Sequence, residues 1–286
     1  MVIKTKVAII VPNPDLAAKN IWLSLRDRSF FKKSDETFDE SIVYHSVNYP
    51  NDIKLFHSKR DGVESNHLEN EIDTELFIFA SRHRSASGTP SLLIHPTGNW
   101  STVTLGGRDD ELSFTSAYVL RVGLMKLVEK KEKYGLNEFK VDLEVTHHGP
   151  TKMKTPLCFV ELGSNEQYWK HEKGAIAVGE SIIETAKIYV KNYNSFFSDN
   201  VFVGFGGNHY AYRFHKQLME NENLYVGHMA PKHSIDKLTK ELAMQAFEKT
   251  KEKPKIAMID KKGVTSPQRK KIIDIVEKLG KEYIIV

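Results

Sequence analysis

Val7-Ala8-Ile9-Ile10-Val11-Pro12-Asn13-Pro14-Asp15-Leu16-Ala17-Ala18-Lys19-Asn20-Ile21-Trp22-Leu23-Ser24-Leu25 is the stretch that decides between fold classes. Its first five residues are an unbroken, mostly β-branched apolar run, the mark of a strand covered on both faces. Asn13 and Pro14 then suit an N-cap and a first helical position. Ala18, Ile21, Trp22 and Leu25 follow at i, i+3, i+4 and i+7, which is one face of a helix. A buried strand leading directly into an amphipathic helix is half of a βα unit.

The same alternation runs on from there. Short apolar runs predict strands over 3–11, 76–80, 91–94, 141–145, 157–162, 201–205, 224–226, 256–259 and 283–286. Helical periodicity predicts helices over 114–132, 175–192 and 212–220, one opened by Ser234, and a last one opened by Ser266-Pro267 and closed by Gly280. The stretches 40–47 and 52–58 flank Asn48-Tyr49-Pro50-Asn51 and predict a hairpin. The expected class is therefore α/β, with a mostly parallel sheet and helices on both faces. No repeat or Pro/Gly linker divides the chain, so one domain is expected over 1–286, with a hairpin-bearing excursion at about 28–72.

Composition bounds the function. Hydrophobic residues make up 40% and charged residues 27% of 286, ordinary values that exclude a disordered chain. The five apolar residues near the start are too few to cross a bilayer, and no signal-peptide pattern follows, so a cytoplasmic location is expected. Cys158 stands alone inside Leu157-Cys158-Phe159-Val160, which rules out an internal disulfide and favours a small core residue. The net charge of +4 permits an RNA substrate without demanding one.

The positions of the histidines carry more information. His83, His95, the pair His147-His148, His209 and His228 each follow a predicted strand, so five strands would deliver a histidine at their C-terminal ends. In open parallel sheets ligands bind in the crevice beyond those ends. Imidazole moves protons near neutral pH and, when neutral, ligates zinc. No HExxH or cysteine spacing is present, so a metal site would be assembled from separate loops. His45, His57, His67, His171 and His215 lack such placement and are expected at the surface.

The loops around these histidines are chemically dense. Arg82 and Arg84 flank His83 and could grip phosphates or be plain surface charge. Thr97 and Asn99 could donate to an oxyanion or merely satisfy a turn. Trp100 could stack on a base or sit at the core edge. Gly206 and Gly207 could let a phosphate approach, and Lys232 could contact one. Glu144 could orient His147, ligate metal or pair with a lysine, and Glu161, late in an apolar strand, needs a partner.

Together these loops resemble the archaeal and plant type of D-aminoacyl-tRNA deacylase. The matching segments are ASRHRS (80–85), TGNW (97–100) with His95, EVTHHGPT (144–151), GGNHY (206–210) and GHMAPK (227–232). They run from about residue 75 to the C-terminus, and THHGP and TGNW are the specific ones. Tyr212-Arg213-Phe214 departs from the proline and lysine expected after GGNHY. The resemblance implies a three-layer α/β/α core of phosphorylase/hydrolase type, related to peptidyl-tRNA hydrolase. It implies hydrolysis of the ester joining a D-amino acid to the 3′ end of tRNA, some activity on glycyl-tRNA of the alanine type, and two zinc ions per chain. No membrane or DNA partner is expected, and a monomer is favoured.

The expected mechanism is attack of water on the aminoacyl ester. His147 or His148 is the general base, or both help hold zinc together with His209, His83 and Glu144. His95 is a further proton-transfer or metal candidate, and Thr97 and Asn99 are oxyanion donors. Arg82, Arg84, Trp100, Gly206, Gly207, His228 and Lys232 contact the tRNA end. The rival readings are a zinc amidohydrolase or peptidase acting on small acyl compounds, a non-catalytic RNA-binding module, and a nucleoside phosphorylase.

Overall fold

A computed structural model describes residues 2–103 and 105–286. In chain order the elements begin β1 (Ile3–Lys4), β2 (Val7–Pro12), α1 (Leu16–Asp27), β3 (Phe31–Phe38), β4 (Ser41–Ser46) and β5 (Ile53–Ser58). A 3-10 segment (Gly62–Asn70) leads to β6 (Ile72–Asp73), β7 (Leu76–Arg84), β8 (Ser91–His95), β9 (Gly98–Asn99), β10 (Glu111–Leu112), α2 (Ala117–Lys133) and β11 (Lys140–Leu143). There follow β12 (Leu157–Ser164), α3 (Glu166–Trp169), α4 (Glu172–Asn192), β13 (Val201–Gly207), α5 (Tyr212–Glu220) and β14 (Tyr225–Pro231). The chain closes with α6 (Lys240–Glu248), β15 (Ile256–Ile259), α7 (Ser266–Lys278) and β16 (Glu282–Ile285).

The α/β class expected from the alternation is the one observed, but the long strands fall into two sheets. The larger has eight strands in the order β11-β8-β12-β7-β2-β5-β4-β3, and the smaller has four in the order β14-β13-β15-β16. The smaller is parallel throughout. In the larger, β2 pairs in parallel with both β5 and β7, and β7 with β12. The run then reverses, because β12 meets β8 antiparallel.

Alternation along β2 shows how the larger sheet is covered. Val7, Ile9 and Val11 pack with Ile21 and Leu25 of α1, Leu120 and Leu124 of α2, and Ile182 and Ile183 of α4. Ala8 and Ile10 face the other way, into a cluster with Phe56, Phe77, Phe79 and Phe159 that is closed by Leu68, Ile72 and Met153. Phe79 and Phe159 stack at 4.5 Å between centroids, and burial of each such ring stabilises the fold by about 2–3 kcal/mol. The smaller sheet has helices on both faces. Phe214 and Leu218 of α5 pack with Phe202 and Met258. Leu242 and Ala246 of α6 and Ile272 of α7 pack with Val203 and Ile259.

Several local expectations are corrected. Helix α1 is capped by Asp15, whose carboxylate accepts the Ala18 N–H, rather than by Asn13. Ser234 lies in a 3-10 turn, and the following helix is capped by Thr239 instead. Strand β14 runs on to Pro231, which places His228 inside it. Strand β3, absent from the sequence reading, pairs with β4 at the edge of the larger sheet, where exposed polar side chains hide the apolar signal.

Candidate active site

The histidines do not gather beyond one row of strand ends. Because β8 runs opposite to β7 and β12, its C-terminal end points the other way along the sheet. What unites the residues is a shared face. On β12, Phe159 is level with His95, Glu161 with Ser81, and Gly163 with His83. Positions 159, 161 and 163 have the same parity, so His95, Glu161 and His83 stand in a row on the face that also buries Phe79 and Phe159. Gly163 is needed in that row, since a β-carbon there would lie 2.7 Å from the His83 side chain.

The segment after β11 supplies the rest. The Glu144 N–H donates to Ile94 O at 3.2 Å, and Thr97 bridges to His147, so the segment continues alongside β8. On its other side it is stitched to residues 209–211 by Val145 N–H to His209 O (3.1 Å) and Ala211 N–H to Leu143 O (2.8 Å). Met229 of β14 binds Thr146 from the smaller sheet. Residues 143–148 thus form the seam between the two sheets, and the site lies on that seam.

Three imidazoles are held alike. Nδ1 of His95 donates to Pro96 O (3.1 Å), Nδ1 of His147 to Val145 O (2.7 Å) and Nδ1 of His148 to Gly149 O (2.6 Å). Each bond fixes the tautomer and leaves an Nε2 lone pair free. Ring centroids lie 4.2 Å apart for His95–His147 and 4.5 Å apart for His147–His148. His148 adopts φ +47, a conformation that turns its ring back toward its neighbours at some cost in backbone strain.

Two buried carboxylates sit between the rings. Glu144 Oε1 is 2.7 Å from His209 Nε2 and 3.2 Å from His83 Nδ1, and Glu144 Oε2 is 3.9 Å from His95 Nε2. Glu161 is 3.5 Å from both His83 and His95. None of these contacts at Glu144 has hydrogen-bond geometry, so both its oxygens and His95 Nε2 are buried without a partner. The donor atoms form compact groups, each within 4.8 Å: His95 with His147 and His148, His83 with Glu144 and His209, and His95 with Glu144 and Glu161.

Protonation follows from these surroundings. Burial pushes His148 down to about 4 and His147 well below its ordinary value, helped by the neighbouring imidazoles, so both are held neutral. Burial also opposes charge on His83 and His95, but Glu161 and Glu144 beside them prevail and raise both. Burial alone would raise Glu161; His83 and His95 bring it well below the usual carboxylate range.

The cleft over this cluster holds about 320 Å³ and is lined by Asp15, Asp61, Arg82, Arg84, Glu161 and His209 among others. That is room for an aminoacyl group and part of a nucleoside. Val63 and Leu105 are its apolar walls. Arg82 donates to Asp61 at 3.1 Å, and Asp15 accepts the Arg82 N–H at 2.8 Å. Burial raises Asp15 to about 6.

Other expected site residues are placed elsewhere. Thr97 Oγ1 donates to Pro150 O at 2.8 Å, and Asn99 Nδ2 donates to Gly106 O and Arg108 O, both at 3.0 Å. Both side chains are spent holding loops and are not oxyanion donors. Trp100 is 3% exposed and packs edge-on against Phe205, so it cannot stack on a base. Trp169 lies 5.9 Å from the guanidinium of Arg84, a residue of the cleft, and donates to His83 O at 2.8 Å. His228 is fully buried, bridging Thr146 and Ser113 O, and contacts no solvent.

Gly206 and Gly207 serve packing rather than phosphate. A β-carbon at Gly206 would meet Val264 at 2.6 Å, and one at Gly207 would meet Val145 at 2.8 Å. Lys232 is exposed at the end of β14. His45, His57, His67, His171 and His215 are half-buried rather than surface residues. His215 Nδ1 lies 2.7 Å from Asp142, and His171 caps α4. Glu144 pairs with histidines and not with a lysine. Sequence reasoning gave no role to Asp15, Asp61, Val63, Leu105, Trp169 or Tyr210, whose hydroxyl lies 3.1 Å from His83 Nε2. The GGNHY segment was the one signal for Tyr210.

Residues 70–284 match the model of the D-aminoacyl-tRNA deacylase family. This chain belongs to that family. The D-aminoacyl-tRNA deacylase of Methanosarcina barkeri is 36% identical over 96% of this chain and 88% of its own length. That of Thermococcus kodakarensis is 33% identical over 96% and 98%. The crystal structure of a conserved protein of unknown function, 27% identical, superposes with a TM-score of 0.84 over 98% of this chain and 95% of that one. At 96% coverage these deacylase alignments take in most of the N-terminal 70 residues, which carry little of the motif resemblance. Among the described residues, no helix is long and apolar enough to cross a membrane.

Proposed function

We propose that this deacylase hydrolyses the ester between a D-amino acid and the 3′ end of tRNA in the cytoplasm, with His147 as the proton acceptor. The observation that carries the reading is the seam cluster: neutral imidazoles with free Nε2 atoms, facing two buried carboxylates at the floor of a cleft, in a chain of this family. His147 is the less buried of the paired histidines and lines the cleft.

A zinc site fits the cluster. Glu144 Oε1, Glu144 Oε2 and His95 Nε2 are buried without hydrogen-bond partners, and imidazole with carboxylate is a donor set that zinc takes. His83, Glu144 and His209 would hold one ion, and His95, Glu144 and Glu161 a second. Bound there, zinc would supply a positive charge to polarise the ester carbonyl.

The chain's own groups account for the proton movements. His147 Nε2 takes a proton from water as its oxygen bonds to the ester carbon. The tetrahedral adduct then expels the ribose oxygen, which regains the proton from the imidazolium. His148 and His95, packed on the His147 ring, keep it in place. Arg84 in the cleft and Trp169 beside it offer a cation and a ring to the terminal nucleotide, while Val63 and Leu105 face the amino-acid side chain. Glycyl-tRNA of the alanine type would enter the same cleft.

The test is amino-acid release from D-tyrosyl-tRNA and L-tyrosyl-tRNA, with and without a chelator. Loss of the D ester alone, stopped by chelation and restored by zinc, is the expected result. D-selective cleavage that survives chelation would remove zinc and keep the histidine chemistry. Binding of tRNA without cleavage of either ester would overturn the reading in favour of an RNA-binding module.

A further inference from the structure

The parallel strands of the smaller sheet all end on one edge, and that edge is basic next to the cleft. Strand β13 ends in Gly206-Gly207 and is followed by exposed Asn208 and half-exposed His209, a residue of the cleft. Strand β14 ends at Pro231 and is followed by exposed Lys232 and His233. Strand β15 ends at Ile259 and is followed by exposed Lys261 and Lys262.

These loops are locked to the site. Met229 exchanges hydrogen bonds with Thr146, the residue before His147. Lys232 is three residues further on, so its backbone lies within ~10 Å of that contact. Gly207 packs on Val145, and Gly263 packs on the carbonyl of Gly206 so closely that a β-carbon would not fit. Lys232, His233 and Lys262 line one shallow depression together with Asp236 and Gln268.

Asp236 in this depression and Asp260 beside it are already engaged. Asp260 Oδ1 accepts the N–H groups of Lys262 (2.9 Å) and Gly263 (3.0 Å), and Asp236 Oδ1 accepts Gln268 Nε2 at 3.0 Å. No carboxylate lies within 4.0 Å of the ammonium of Lys232, Lys261 or Lys262 among the described residues. Lys126, Lys130 and Lys133, by contrast, are paired with Glu129, Glu184 and Glu180.

We infer that this strip is the docking surface for the phosphate backbone of the tRNA acceptor end. It rests on the deacylase reading for the identity of the RNA. With the terminal ester over His147, the strand preceding it would cross Asn208 and run along Lys232, Lys262 and Lys261. Point-charge ammonium groups on exposed loops suit phosphates irrespective of base.

The experiment compares wild type with Lys261→Glu/Lys262→Glu, and separately with Lys261→Gln/Lys262→Gln. Two substrates are used: D-tyrosyl-tRNA and the D-tyrosyl ester of adenosine. The Glu variant is expected to lose at least tenfold in kcat/KM on the tRNA and less than twofold on the nucleoside ester. The Gln variant is expected between the two. The dependence of log kcat/KM on log salt should flatten by roughly 1.5 for two lost phosphate contacts. Equal loss on both substrates, or an unchanged salt dependence, would overturn the strip. Retention of uncharged tRNA on filters, measured for the same variants, tests the strip even if wild type cleaves neither ester, an outcome that would instead refute the deacylase reading.

Discussion

Single residues divide the work of the site by their protonation state. His147 presents its Nε2 to the cleft because its Nδ1 is already committed to Val145 O. His147→Ala is expected to lower kcat by about 10²-fold or more with little change in KM, measured on D-tyrosyl-tRNA. Glu144 sits at the centre of both carboxylate-containing donor groups. Glu144→Gln is expected to lower bound zinc, counted by elemental analysis of the folded protein, and an unchanged metal content would move the ions to the three-histidine group. Cys158 has its thiol pushed up to about 12 by burial, so it should resist thiol reagents until the chain unfolds. Its apolar neighbours in the sequence already placed it in the core.

At the scale of elements, the loop from β8 to β10 is positioning machinery. Thr97 reaches Pro150 O, an acceptor that Ser113 Oγ also reaches at 2.7 Å. Thr97→Val therefore leaves that carbonyl satisfied. It is expected to cost about 1 kcal/mol in denaturant unfolding and less than tenfold in rate, whereas loss of an oxyanion donor would cost on the order of 10²–10³-fold. A loss of that larger size would return Thr97 to the chemistry. The elements most legible in the sequence were those with an unbroken apolar run, β2 and β12, or a strong helical period, α2 and α4. Strand β3 was illegible because an edge strand needs no second apolar face, and the cap at Asp15 was hidden two residues beyond Asn13, an equally plausible cap residue.

Over the whole molecule, buried neutral histidine makes stability depend on pH. His228, inside β14, is held down to about 3 by burial, against 6.5 when exposed. Its folded value is the lower one, so its contribution is complete above pH 6.5 and is lost as pH falls from there toward 3. Between pH 6.5 and about 5 that loss is on the order of 2 kcal/mol. Asp15, raised by burial, works the other way, so the His228 term is read from a difference. His228→Gln is expected to be less stable than wild type at neutral pH, with the gap in Tm narrowing toward about pH 5. A gap that stays constant would mean that His228 does not titrate on unfolding.

The sequence by itself determined the α/β class, the buried strands, the family, and the chemical types in the site, because periodicity and motif spacing are local properties of the chain. It also singled out His83, His95, His147, His148 and His209 as site candidates, and their rings are neighbours in the structure. Only the tertiary structure decided how they meet. The reversal of β8 against β12 is a pairing choice made between residues about 65 positions apart, and it moves the site from the strand ends to a sheet face. The same long-range packing buries Trp100 and His228, which read as loop residues, and brings Asp15 and Asp61 to the cleft. Burial and pairing depend on what the rest of the chain places opposite a residue, and no local pattern encodes that.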